Sequence, residues 1–306
     1  MRVFGVDYQF LACGDVFTVG LAHAAAALGV EYQHALWSAP DLATQIRRVQ
    51  PDLLLVVHGR KFARHLQRGA GVPSAVWLLD EPYEVDDTAR WSSRFDQIFV
   101  NDPSTLGRHL SAQGRAPVPL PVCYDPEVHQ PRAQAPVYRT GFVGGGNPTR
   151  EQLLAHLAAR DLLDYVVGGP WQTRGVQARC RSGNIPAAVT ATLYQQTRIV
   201  INAFRDRHHF NRDGLRATAM NPRIYEALAC GALVISEWRP EIDAVVPELP
   251  TFRTAAECGD LVAHYLAHPA DAGRRQALCA ARLRAHTYAA RLRTVLEIAG
   301  VWREAA

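Results

Sequence analysis

The 306-residue sequence predicts an α/β protein made of two doubly wound, Rossmann-like parallel sheets that face each other across a cleft. Three observations carry this. Strand and helix signals alternate through residues 1–123, a proline-rich stretch without periodicity (DPEVHQPRAQAP, within 124–137) interrupts them, and the alternation restarts at YRTGFVG. Alternating βα units wind into parallel sheets, and the chain is long enough for two cores of roughly 150 residues each.

The first half reads in order as strand RVFGV, an alanine-rich helix over 16–28, strand EYQHALW, a helix over 41–49, strand DLLLVV and a helix over 60–67. Strand SAVWLLD, a helix over 85–93, strand DQIFVN, a helix over 103–113 and APVPLPV follow. The second half gives strand YRTGFVG, a helix over 150–159, strand DYVVGG, a helix ending near 197, strand RIVINAF, the helix of NPRIYEALACG, strand ALVIS, and helices from about 260 onward. DLLLVV and ALVIS are uninterrupted apolar runs, as expected of parallel strands covered on both faces. The domains are therefore 1–123 and 138–287, joined by a linker at 124–137.

The segment NPRIYEALACGALVISE (221–237) carries the most chemistry. Asn221 suits an N-cap, Pro222 the first helical position, and Gly231 the left-handed residue that ends a helix. Arg223 and Glu226 are three apart and share one face of the first turn, beside backbone N–H groups that favour anions. A guanidinium clamps a phosphate, and a carboxylate accepts hydrogen bonds from the vicinal hydroxyls of a sugar. The pair suits a sugar nucleotide; a glutamate that complements the helix dipole beside a solvated arginine is the alternative.

Composition narrows the function further. The chain is 48% hydrophobic and 20% charged with a net charge of +4, and Lys61 is its single lysine, so 32 of 33 basic residues are arginine. They are scattered rather than striped, so a nucleic-acid partner is not expected. The six cysteines form no CxxC pair and no metal-ligand spacing, which fits a reducing cytoplasm and no bound metal. No apolar run approaches the roughly 18 residues that span a bilayer, and neither export nor a transmembrane segment is expected. GxGxxG and GxxxxGK[ST] are both missing, so NAD and ATP find no support and no cofactor is expected.

With these residues assembled, the chain resembles the GT-B glycosyltransferases, and within them the CgeB-like (spore maturation protein) branch of group 1. The resemblance rests on NPRIYEALACG (221–231), WLLDEPY (77–83), HTYAARL (286–292) and FVGGG (142–146), and the order of elements agrees over essentially the whole chain. It implies a C-terminal domain that binds a nucleoside-diphosphate sugar, an N-terminal domain that presents a small-molecule, glycan or other hydroxyl acceptor, and a last helix (about 288–306) that crosses back to the N-terminal domain. It also implies that Glu226 holds the donor ribose, that Arg223 contacts the diphosphate, and that transfer needs no metal. Many retaining relatives carry a second glutamate eight positions earlier; here that residue is Thr218, so a retaining outcome is implied only by the wider family.

Other candidates follow from position. Gly144, Gly145 and Gly146 lie between a strand and a helix, where backbone N–H groups can approach a diphosphate, with Arg150 in the next turn; a tight turn and a solvated arginine are the alternatives. Gly14 lies in the loop after the first strand, which resemblance places under the donor phosphates, and Asp15 beside it reads first as an N-cap. Asp80 and Glu81 end the fourth strand, the edge where such sheets carry ligands; either carboxylate is placed to accept the proton of an attacking hydroxyl, or simply to form a turn before Pro82. His58 ends DLLLVV at the same edge, as an acceptor contact or a satisfied strand-end histidine. The polar stretch 205–218 reads as a loop over the donor site, with His209, Asn211 and Arg212 as contacts. Gly183, Asn184 and Ile185 are where related enzymes hold the base through their backbone.

Two competing functions remain open at this stage: a sugar-nucleotide epimerase on the same scaffold, and a non-catalytic nucleotide-sugar or glycan-binding module. A base in DNA as acceptor is disfavoured by the scattered charge, and nothing in the sequence sets the oligomeric state.

Overall fold

The computed structural model describes residues 1–8, 15–62, 71–131, 133–182, 185–205 and 210–302. Two six-stranded parallel sheets form its frame. The first contains β1 (Arg2–Asp7), β2 (Glu31–Leu36), β3 (Leu53–Val57), β4 (Ser74–Leu78), β5 (Gln97–Val100) and β6 (Val118–Pro119), in the order β2-β1-β3-β4-β5-β6. The second contains β7 (Tyr138–Val143), β8 (Tyr165–Val167), β9 (Cys180–Ser182), β10 (Thr197–Asn202), β11 (Leu233–Glu237) and β12 (Thr251–Phe252), in the order β12-β11-β10-β7-β8-β9.

The apolar runs became the central strands: every residue of β3 and β4 is buried. The strand order reverses between β1 and β3 in one sheet and between β7 and β10 in the other, and such switch points open crevices at the carboxyl ends of the strands. The short edge strands β9 and β12 and the extent of β6 departed from expectation. Two or three residues at a sheet edge carry no periodicity, so nothing in the pattern announces them.

Helices α1 (Val16–Ala27), α2 (Leu42–Val49), α3 (Val85–Trp91) and α4 (Leu106–Gln113) belong to the first half, and α5 (Pro148–Ala159), α6 (Arg174–Gln177), α7 (Ala187–Gln195), α8 (Pro222–Ala229) and α9 (Pro240–Val245) to the second. The closing helices are α10 (Ala255–Ala267), α11 (Pro269–Leu283) and α12 (Tyr288–Ile298). The expected helix over 60–67 falls mostly outside the described residues. Helix α12 leaves the second sheet and packs on α1 of the first. Arg291 donates to the carbonyls of Pro121 (2.7 Å) and Val122 (3.3 Å), and the Tyr288 ring lies edge-on to Phe17 and Trp77.

Among the described residues no helix is long and apolar enough to cross a membrane, and five cysteines are free thiols.

Candidate active site

Four aspartates of the first half reach the second and turn the two carboxyl edges toward each other. Asp15 Oδ1 accepts from the Ala187 amide (2.9 Å) at the start of α7. Asp80 Oδ1 pairs with Arg205. Asp86 accepts from the Arg212 amide (2.7 Å), while its own amide donates to the Phe210 carbonyl (2.9 Å). Asp102 accepts from the Thr218 amide (2.7 Å), the Thr218 hydroxyl (2.6 Å) and the Ala219 amide (3.0 Å). Asp15 is thus no side-chain N-cap for its own helix but a bond across the cleft.

On the second sheet the switch-point crevice is closed by Arg223. Its Nη1 donates to Asn202 Oδ1 (2.5 Å), and its guanidinium lies 4.7 Å over the Phe142 ring. A Cβ on Gly144 would sit 2.6 Å from Arg223 Nη2, so the backbone after β7 runs directly against the cation. Sequence spacing had placed Gly144 and Arg223 in separate motifs, and the fold brings them together. Gly144→Ala is therefore expected to displace the guanidinium, at a packing cost of about 1–3 kcal/mol; unchanged stability in urea unfolding would count against this arrangement.

The other two glycines differ. A Cβ on Gly146 would come within 1.9 Å of the Pro170 carbonyl oxygen, so that position is set by close backbone packing, whereas Gly145 has room. Arg150 is buried rather than solvated. It donates to the carbonyls of Ala203 (3.0 and 2.8 Å) and Gly145 (2.8 Å), tying the glycine turn to the end of β10. Burial, then the nearby Arg223 and Arg205, pull its pKa down to about 9. Three guanidiniums held this close raise the local positive potential, which a bound diphosphate would relieve.

Glu226 is 4% exposed, and its Oε1 has no hydrogen-bond partner among the described residues. Burial raises its pKa to about 7, against the opposing pull of Arg223. A buried carboxylate oxygen without a donor is costly unless a ligand supplies one. Asn221 occupies the N-cap position as expected, but its side chain makes no cap hydrogen bond and Oδ1 is buried without a partner among the described residues. Pro222 at N1 and Gly231 at φ +86° stand as the sequence implied.

Across the cleft, the sequence candidates separate. His58 (4% exposed, φ +63°) and Asp80 do face the crevice, joined by a residue the sequence reading missed, Glu84. His58 Nε2 lies 3.6 Å from Glu84 Oε2, and one ligand-type atom from each of the three residues falls within 4.8 Å of the others. The left-handed backbone at His58 is uncommon for a non-glycine residue and marks a constrained site. Burial lowers the His58 pKa, and burial with the neighbouring Asp80 raises Glu84 to about 7. The cluster has the composition of a cation site, but guanidiniums already serve it: Arg205 on Asp80, and Arg60 3.7 Å from Glu84.

Glu81 is corrected: its carboxylate turns into the domain interior, accepts from the Thr88 hydroxyl and lies 3.5 Å from His109 Nε2, with both side chains fully buried. It holds α3 and α4 together and has no face toward the cleft.

Asn211 clips its own loop by bonding the Leu215 backbone (2.8 and 2.9 Å), and the Arg212 side chain is 70% exposed with its Nε 3.9 Å from Asp86. Arg212 therefore ties the loop to the first half, whereas Asn211 closes the loop on itself. Gly14, Gly183, Asn184 and His209 lie outside the described residues.

Residues 149–297 match the family model described as "Glycosyl transferase-like", and no curated protein matches by sequence. The fold is shared with sucrose-phosphate synthase from Thermosynechococcus elongatus (13% identity, TM-score 0.66, 98% of this chain and 99% of that one). An alpha-glucosyltransferase in complex with UDP-glucose and DNA containing an abasic site aligns at 9% identity and TM-score 0.66, covering 98% of each chain. A structure described as trehalose-6-phosphate from E. coli bound with UDP-2-fluoro glucose aligns at 11% identity and TM-score 0.64, over 99% of this chain and 100% of that one. The C-terminal half is thus similar to the glycosyltransferase-like family, and the whole chain has the GT-B fold.

Proposed function

We propose that the chain transfers a hexose from a nucleoside-diphosphate sugar, UDP-glucose being the first donor to test, to a hydroxyl acceptor, without a metal and with retention. The observation that carries this reading is a buried Glu226, whose Oε1 has no hydrogen-bond partner among the described residues, on the same helix head as Arg223, which lies against the Gly144 turn. Glu226 accepts the ribose hydroxyls; Arg223 and the turn after β7 hold the diphosphate and stabilise the charge that grows as the glycosidic bond breaks. Arg150 acts by fixing that turn. The free thiols fit a cytoplasmic location, and the CgeB-like branch is the subtype we assign from NPRIYEALACG.

In this assignment residues 1–123 form the acceptor side, 124–137 the linker and 138–287 the donor side, with the C-terminal helix returning to the acceptor side. Thr218, where relatives place a glutamate on the sugar, is spent on Asp102, so donor-sugar contacts come from elsewhere. Asp80 orients the acceptor hydroxyl and takes its proton, with Arg205 fixing the carboxylate and Glu84 and His58 behind it.

Asp80→Asn is expected to lower turnover of UDP-glucose by at least about 100-fold while UDP affinity stays within a few-fold, measured as UDP release beside direct titration. Equal turnover would remove Asp80 from the reaction. Turnover of UDP-N-acetylglucosamine without any acceptor would instead favour an epimerase, and donor binding without transfer to a broad acceptor panel would favour a binding module.

A further inference from the structure

Beyond the Arg223 crevice, the loop at 211–218 covers a cavity of about 600 Å3 at the carboxyl ends of β11 and β12. That volume suits a small metabolite. Among the described residues five arginines line it: Arg205, Arg212, Arg216, Arg239 and Arg253. Three of them have carboxylate partners, Asp80, Asp86 and Glu237 respectively for Arg205, Arg212 and Arg239. The other two do not: Arg216 and Arg253 make no ion pair among the described residues, and Arg253 is stacked 4.1 Å over the Trp238 ring. The Nε of Arg239, whose side chain is 16% exposed, is buried without a hydrogen-bond partner among the described residues.

We propose that this cavity is the acceptor's anion subsite and that the acceptor is a small phosphomonoester, an inference that rests on the transferase reading above. Two guanidiniums without an ion pair among the described residues and a third with an unused Nε–H offer more donors than the two oxygens of one carboxylate can use, which matches the three terminal oxygens of a phosphomonoester. The exposed Asp213 is the one lining acid with no ion pair among the described residues, and it does not neutralise both arginines. Placement supports the acceptor rather than the donor. The cavity reaches Arg205, which holds the candidate base Asp80, whereas the Arg223–Gly144 contact lies at the β7–β10 crevice. Trp238 supplies an apolar wall for the carbon skeleton.

The test is calorimetric titration of inorganic phosphate, at constant ionic strength, into the chain with and without saturating UDP. One phosphate site is expected to persist beside bound UDP. Arg216→Gln and Arg253→Gln, both at exposed positions, should each weaken phosphate at least tenfold and leave UDP within twofold; Arg223→Gln should do the reverse. Unchanged phosphate affinity in the double variant would overturn the assignment, as would loss of UDP affinity there, which would give these arginines to the donor. Glucuronate binding more tightly than phosphate would give the cavity to carboxylates and overturn it equally. If wild type failed to bind UDP while phosphate binding still depended on Arg216 and Arg253, the donor assignment would fall and the subsite would stand.

Discussion

Glu226→Ala is expected to weaken UDP binding by about 10- to 150-fold, the loss of roughly 1.5–3 kcal/mol that accompanies removal of a charged hydrogen-bond acceptor. Calorimetry with UDP and with a 2′-deoxy analogue checks it: the variant should bind both alike, whereas wild type should prefer the ribose form. The carboxylate, not the carboxylic acid, accepts from two hydroxyls, so wild-type affinity should rise with pH through about 7. Glu226→Gln should abolish that rise.

Stability moves the opposite way. Between about pH 4.5 and 7 the folded chain holds a proton on Glu226 that the unfolded chain has released, so rising pH costs stability across that window and has no further effect above it. The Gln variant lacks this penalty. Its stability relative to wild type should therefore improve by on the order of 3 kcal/mol from pH 4 to pH 8 in urea unfolding, even as donor binding collapses. A variant that lost binding and stability together at every pH would show that Glu226 serves packing alone.

Gly20→Ala is expected to have the second large effect. A Cβ there would lie 2.4 Å from the Tyr288 ring. That ring is 1% exposed and fixed between Phe17 and Trp77, with centroids 6.0 and 6.3 Å away. It has nowhere to move, so α12 must separate from α1, at about 3 kcal/mol or more given typical overpacking costs. Tyr288→Ala in the Gly20→Ala background should recover part of that loss, because it removes the clashing ring. Proteolysis near residues 284–287 should increase in the single variant. Unchanged stability and unchanged cleavage would show that the helix contact contributes little to joining the two halves.

How much of this was legible in the chain depended on sequence distance. Strands β3, β4, β10 and β11 were readable because burial on both faces demands consecutive apolar residues, and α8 because its breakers bracket it. Edge strands β9 and β12 were not, since two or three residues generate no pattern. Arg223 and Glu226 were readable as a pair because three residues in a helix make one face. Glu84 was missed because its significance comes from Asp80 and His58, the latter 26 positions away by number and adjacent only through the sheet. Glu81 was misplaced because adjacent residues at a strand end point in opposite directions, and only packing decides which one meets the cleft.

Local order therefore sufficed for two parallel sheets and for one helix head with a cation and an acid on the same side, because helical and strand periods are properties of neighbouring residues. Asp102 on Thr218, 116 positions apart, and Asp80 on Arg205, 125 apart, emerged only when the halves met. Such contacts obey no period. They depend on which carboxylates and donors the closed cleft brings within about 3 Å, and that distance is a property of the assembled fold alone.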